Sequence, residues 1–505
     1  MGGACKRQNA GLVAASSKLA PLLRIALALS VLLAALPAQA YDDPLPPSVA
    51  AALAQAGLPA DALAAIAIPQ TRWARTWQHR ADMPMQPAST MKLVTTVVAL
   101  DRLGPNHRGR TELLAAGPVE GGVLAGDLVL KGGADPELDL PALWQMLFEL
   151  RQRGVHTIVG DLVLDRTLFR PARIDLGLPP FDESPEWPYN MIPDALMLHG
   201  NLMGLTLASD SSSVKVRLAP PLEGIELDVG ALALTDTACD DWDEDWQPAT
   251  VTEPAPGRYR IALNGGFPRR CETRGNLQLL DRNVVTERQL RAVWASLGGV
   301  WRQPPGRVRE AAAPPGAMVI ATHSSRPWGE VLRFMNKTSD NTLTRLLFLQ
   351  LGLAAMAGEP NATTLDLAKR EVERWFDEQR IDRRGLVLDN GSGLSRSERI
   401  APRTMARTIE AAIQGRHAPE LLMSLPVAGI DGTMRRRLKG TPAEGWARLK
   451  TGTLKNVTAI AGTVRDTRGD TWVVVAMVNH DEAAKGRAAL DAWVEWVVRS
   501  GARWR

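Results

Sequence analysis

The segment from about Ser89 to Leu103 limits the fold more than any other stretch of this 505-residue chain. It opens after Pro84 and Pro87, closes at Gly104-Pro105, and contains neither residue type between them, so it predicts a helix. Met91, Leu93, Val94, Val97, Val98 and Leu100 cover most of its circumference. A helix apolar on all sides belongs at the centre of a fold, and the rest of the chain must enclose it.

The enclosing elements stand at the two ends of the sequence. Residues 64–68 and 72–77, joined by Pro69-Gln70-Thr71, read as a short β-hairpin. Residues 458–464 and 472–478, split by the polar turn 466–470, read as a second one. Helical patterns run over 328–335 and 343–353, and a closing helix carries Leu490, Trp493, Val494 and Val497 on one side. The expected fold is α/β of the α+β type: one antiparallel sheet flanked by helices, built from residues 41–113 and 316–505. Residues 114–315 read as a large two-part insertion. In it Gly126-Asp127-Leu128-Val129-Leu130 recurs as Gly160-Asp161-Leu162-Val163-Leu164, with Leu140, Leu143, Leu147 and Leu150 marking a helix between. The way out runs through Pro314-Pro315-Gly316.

Residues 1–40 differ in kind. Lys6, Arg7, Lys18 and Arg24 precede an uncharged run over 25–36, and Ala38-Gln39-Ala40 offers a cleavage site, the pattern of a secretory signal peptide. The run falls short of the ~18 residues that span a bilayer, so no transmembrane anchor is expected after cleavage. The formal charge of +4 rests on those four basic residues; without them 55 basic and 55 acidic residues balance. No nucleic-acid partner is therefore expected. Cys5 leaves with the leader, and Cys239 and Cys271, 32 residues apart, are expected to form a disulfide that staples a subdomain of the insertion.

Three short motifs carry chemistry. In Ser89-Thr90-Met91-Lys92 the i, i+3 spacing places the lysine amine within reach of the serine hydroxyl. A lysine in an apolar, already cationic site loses proton affinity and can act as a base, and Lys450 is the expected nearby cation. Ser339-Asp340-Asn341 opens another helical run and supplies a hydroxyl and an amide. Lys450-Thr451-Gly452-Thr453 precedes the last two strands, where a cation and a hydroxyl can hold a carboxylate and Gly452 lets a substrate backbone lie close. Each motif alone is common. The three in this order are not.

The chain resembles the penicillin-recognising serine acyltransferases, and most closely the class C low-molecular-mass penicillin-binding proteins, D-alanyl-D-alanine carboxypeptidase/endopeptidases. Gly133-Ala134-Asp135-Pro136, the run Met335 to Asn341, and Ser424-Leu425-Pro426-Val427-Ala428-Gly429 share that likeness. So does Asp389-Asn390-Gly391-Ser392-Gly393-Leu394-Ser395-Arg396, with Asn390 where the family often has Asp. The resemblance implies a β-lactamase/transpeptidase-like domain interrupted by an insert. It implies Ser89 as nucleophile, Lys92 as its base, Ser339 as proton relay, and Asn341 as the group orienting Lys92 and the peptide. Lys450 and Thr451 would hold the terminal carboxylate beside Gly452, and the N–H groups of Ser89 and Thr453 would form the oxyanion hole. It implies no cofactor and no metal, peptidoglycan stem peptides as substrate, β-lactams as covalent inhibitors, and a periplasmic location.

Two readings share these residues: a serine β-lactamase of the same superfamily, and a catalytically silent binder of cell-wall peptides or β-lactams. The insert and the whole-chain likeness favour the peptidase over the first. The intact Ser89, Lys92 and Lys450 argue against the second. Seven scattered histidines without an H-x-x-x-H spacing speak against a metallopeptidase.

Overall fold

Two strands from the beginning of the chain and three from its end make one antiparallel sheet, in the order Arg448–Leu454, Val457–Arg465, Thr471–Asn479, Leu63–Pro69, Trp77–His79. Both faces are covered. Ile66, Val473, Val475 and Met477 point toward the helix Lys92–Arg102, whose Leu93, Val94, Val97 and Val98 share their core. Leu63, Ala67, Val474 and Val478 point the other way, against Leu490, Trp493, Val494 and Val497 of the closing helix Arg487–Ser500 and Val49 and Leu53 of Pro47–Gln55. Burial on both sides is why these strands are apolar at almost every position instead of alternating. The computed structural model describes Gly2 and residues 42–500; but for Gly2, the signal peptide expected over 1–40 lies outside the described residues.

The first hairpin differs from expectation. Its second strand is Trp77–His79, with Ala67 opposite Trp77, and residues 70–76 form a loop. Arg72 and Arg75 cannot enter a sheet buried on both faces, and Trp73 is left 67% exposed in the loop. The central helix also begins later than its apolar pattern, since Ala88–Met91 form a 3₁₀ turn before the α-helix starts at Lys92.

In the inserted region, Asp127–Gly133 and Leu162–Asp165 pair in parallel around the helix Leu140–Gln152, a β-α-β unit. That sheet also contains Arg110–Ala116 paired with Met318–Ser324, so it reaches before residue 114 and beyond 315. Two three-stranded sheets follow, and a Cys239–Cys271 disulfide with Cα atoms 5.3 Å apart lies among them. Trp242, next to the disulfide, packs on Trp187 and Trp246 with ring centroids 5.5 Å and 5.6 Å away. Residues 44–500 lie in one compact unit.

Candidate active site

Ser89 sits in the 3₁₀ turn, and the residue before it, Ala88, is held at φ 45°, a left-handed conformation that costs a non-glycine residue about 1–3 kcal/mol. Two glycines from far along the chain close on this turn. A Cβ on Gly393 would stand 1.9 Å from the Ala88 carbonyl oxygen, and one on Gly452 would stand 2.6 Å from that of Pro87 and 3.0 Å from Ser89 N. Gly452 therefore fits the edge strand Arg448–Leu454 against the protein's own serine turn.

Lys92 is the first residue of the α-helix and its side chain is fully buried. Its Nζ donates to Asn341 Oδ1 at 2.6 Å and to the Ser392 carbonyl at 2.5 Å, and lies 3.0 Å from Ser89 Oγ. A neutral amine has two N–H donors and one lone pair. The two carbonyl-type oxygens can only accept, so they take both donors and leave the lone pair facing the serine hydroxyl. Burial lowers the Lys92 pKa to about 7; Asp340 and Glu398 oppose the shift and Arg345 adds to it. The cation expected to depress Lys92 was Lys450. Burial is the larger cause, Arg345 from the helix Asn341–Gln350 adds to it, and the repulsion between Lys92 and Lys450 is felt at Lys450.

Lys450 lies on the edge strand and is also fully buried. Its Nζ donates to Ser339 Oγ and to the Thr451 carbonyl, both at 2.8 Å. Burial first, and then the charge of Lys92, push its pKa well below the ordinary lysine range. Thr451 Oγ1 lies 2.7 Å from Thr433 Oγ1, and Thr453, one residue past Gly452, is exposed.

Ser339 does not open a helix. It ends Trp328–Thr338 at φ 63° and ψ 38°, while Asp340 caps the next helix by accepting from Leu343 N at 2.8 Å. The left-handed residue lets two helices meet at a sharp corner, and that corner presents the Ser339 hydroxyl to Lys450. Asn341 faces Lys92 with its oxygen and donates Nδ2 to the Tyr189 carbonyl of the inserted region at 3.0 Å.

The structure thus gathers Ser89, Lys92, Ser339, Asn341, Lys450, Thr451 and Gly452 into one site, with Thr453 next on the strand. Cys239 and Cys271 form their own link in the insert. Of the loop that carries Ser392 and Glu398, sequence reasoning quoted residues 389–396 for their likeness but gave Ser392 no role and did not reach Glu398. Asn390 belongs to it: its Oδ1 accepts from Ser392 N at 3.0 Å and from Ser392 Oγ at 2.6 Å, and its Nδ2 donates to the Leu394 carbonyl at 2.9 Å. The Gly-Ser-Gly run was the available signal.

A profile of the D-Ala-D-Ala carboxypeptidase 3 (S13) family matches residues 45–499. The chain is 30% identical over 420 residues to the D-alanyl-D-alanine carboxypeptidase of Actinomadura sp., covering 80% of this chain and 75% of that one. It is 28% identical over 404 residues to D-alanyl-D-alanine carboxypeptidase DacB of Haemophilus influenzae, covering 78% and 80%. The crystal structure of penicillin binding protein 4 (dacB) from Haemophilus influenzae superposes with a TM-score of 0.72 at 24% identity, over 89% of this chain and 99% of that one. That last likeness is one of fold: mixed α/β, with the transpeptidase-like arrangement that the motifs implied.

Proposed function

Because the chain belongs to the D-Ala-D-Ala carboxypeptidase 3 (S13) family, we infer that it is a serine D-alanyl-D-alanine carboxypeptidase and/or endopeptidase, acting on peptidoglycan stem peptides through a Ser89 acyl-enzyme. The observation that carries this reading is the Lys92 amine, with both N–H groups committed to acceptors and its lone pair left for the Ser89 hydroxyl.

Lys92 takes the Ser89 proton as Oγ attacks the carbonyl between two D-alanines. The N–H groups of Ser89 and Thr453 receive the developing oxyanion; losing one such donor typically costs about 2.7–4 kcal/mol of barrier. Ser339, bonded to Lys450, gives its proton to the departing amine as the C–N bond breaks and takes in its place the one held by Lys92, which leaves that amine neutral again. Water then attacks the ester, releases the shortened peptide and returns the proton to Ser89. Lys450 and Thr451 hold the terminal carboxylate, whose arriving negative charge opposes the burial and Lys92 effects that depress Lys450. β-Lactams acylate the same serine and stay.

The same reading takes residues 1–40 as a signal peptide cut after Ala40, and the periplasm as the destination. It takes residues 41–109 and those from 325 on as the catalytic part and the region between, with its sheet strands Arg110–Ala116 and Met318–Ser324, as the insert. The test has two steps. A fluorescent penicillin should label Ser89 alone, mapped by mass spectrometry, and a label on Ser339 or Ser392 overturns the assignment. Muropeptides incubated with the protein should then lose a terminal D-alanine or a D-Ala cross-link; unchanged masses leave a penicillin binder without peptidase activity.

A further inference from the structure

Glu398 is a buried carboxylate that none of the catalytic steps uses, and it is fully enclosed. Its Oε1 accepts from the backbone N–H groups of Asp389 at 3.2 Å, Asn390 at 3.1 Å and Gly391 at 2.8 Å, and its Oε2 from Gly393 at 2.9 Å. All four neighbours are donors, an environment that the acceptor-only ionised carboxylate satisfies on both oxygens. The chain is thereby wound around one side chain, and the residue at the centre of the winding is Ser392, whose carbonyl accepts from Lys92. Thr95, one turn along the central helix, holds the same loop by donating to the Gly391 carbonyl at 2.7 Å.

We propose that Glu398 is the positioning residue of the base: it fixes the Ser392 carbonyl against Lys92 and places a negative charge behind it. Without that carbonyl, one of the two N–H groups of a neutral Lys92 loses its acceptor and the amine is free to turn its lone pair away from Ser89. The charge acts in the opposite sense to burial, holding the proton on Lys92 more firmly than burial alone would. The other charged groups around Lys92 are Asp340 and Arg345 on the helix Asn341–Gln350 and Lys450 on the edge strand, while Asp389 faces Glu398 and Arg345. Burial pushes Glu398 itself upward, against the N–H donors that favour its ionised form. The inference rests on Lys92 as the base of Ser89.

The test is the second-order acylation rate with a penicillin probe as a function of pH, with the label mapped each time. In Glu398→Gln one oxygen becomes a donor facing Gly393 N and the charge is gone. The plateau rate should fall about tenfold, and the acid limb should move to lower pH by half a unit or more. Thr95→Val loosens the same loop without changing charge, so its plateau should fall while its limb stays in place. A Glu398→Gln limb that does not move, or a plateau within twofold of wild type, overturns the proposal. If Glu398→Gln fails to fold by near-UV circular dichroism, Glu398→Asp is decisive: it keeps the charge with a shorter reach, and a full plateau there overturns the positioning role. Wild-type protein unlabelled at Ser89, or labelled without any acid limb, overturns the reading of Ser89 and Lys92 instead.

Discussion

A lysine can take a proton only while it is neutral, so with Lys92 as the base we propose, its pKa of about 7 sets the pH at which acylation should begin. Lowered from its ordinary value, the amine is largely protonated below pH 7 and free above it, so acylation by a β-lactam should rise through that pH and level off. Lys92→Arg should abolish acylation, because a guanidinium does not release its proton in this range; any rate within about a thousandfold of wild type would speak against the base. Lys450→Gln should slow acylation at every pH and leave the acid limb where it was, since burial is the larger cause of the Lys92 shift. A limb that moved to higher pH would make Lys450 the tuning cation after all. The serine–lysine pair was legible because a side chain at i+3 is a sequence fact. The Ser392 carbonyl was not, because every residue has one and only the folded loop decides which of them meets an amine.

At the scale of elements, the serine turn, the Ser339 corner and the edge strand each hold one part of the site. Gly452→Ala would set a methyl group 2.6 Å from the Pro87 carbonyl and 3.0 Å from Ser89 N, so the strand must move away from the turn. Since Thr453 is the next residue, we expect acylation to fall at least tenfold, in the range typical of a displaced oxyanion donor, with a lowered melting temperature as the backbone gives way. An unchanged rate would mean that the turn and strand yield without consequence. The strands of the large sheet were legible as apolar runs, and their two-sided cover explains why. The short strand Trp77–His79 was placed too early because Trp73, Ala74 and Trp77 were weighed above Arg72 and Arg75, which the loop turns out to solvent. Ser339 was read as the start of a helix because Ser-Asp-Asn is good capping chemistry; Asp340 performs that capping, and the serine is left at the corner.

At the scale of the molecule, the insert is tied to the chemistry. Tyr189 accepts from Asn341, and Trp187, two residues before it, packs on Trp242 beside the Cys239–Cys271 link. Breaking the disulfide should lower the stability of that region by about 2–4 kcal/mol and leave acylation within about twofold. Trp187→Ala, which removes the packing next to Asn341's partner, should slow acylation more than reduction does. Equal effects of the two changes would show that this tryptophan cluster transmits nothing to the site. The bounds of the insert were drawn inside its sheet because Arg110–Ala116 and Met318–Ser324 belong together only through pairing, which no local composition records.

Leu63 pairs with Val478, so the strand beside the first one of the sheet is made only after the whole inserted region. The sheet that carries Lys450 stays open until its C-terminal strands return to the beginning of the chain, a contact of the longest range and therefore of slow formation. A chain stopped before residue 471 would contain all the motif residues and still bind no penicillin. Penicillin labelling is thus also a clock: its amplitude during refolding counts the molecules whose two ends have met.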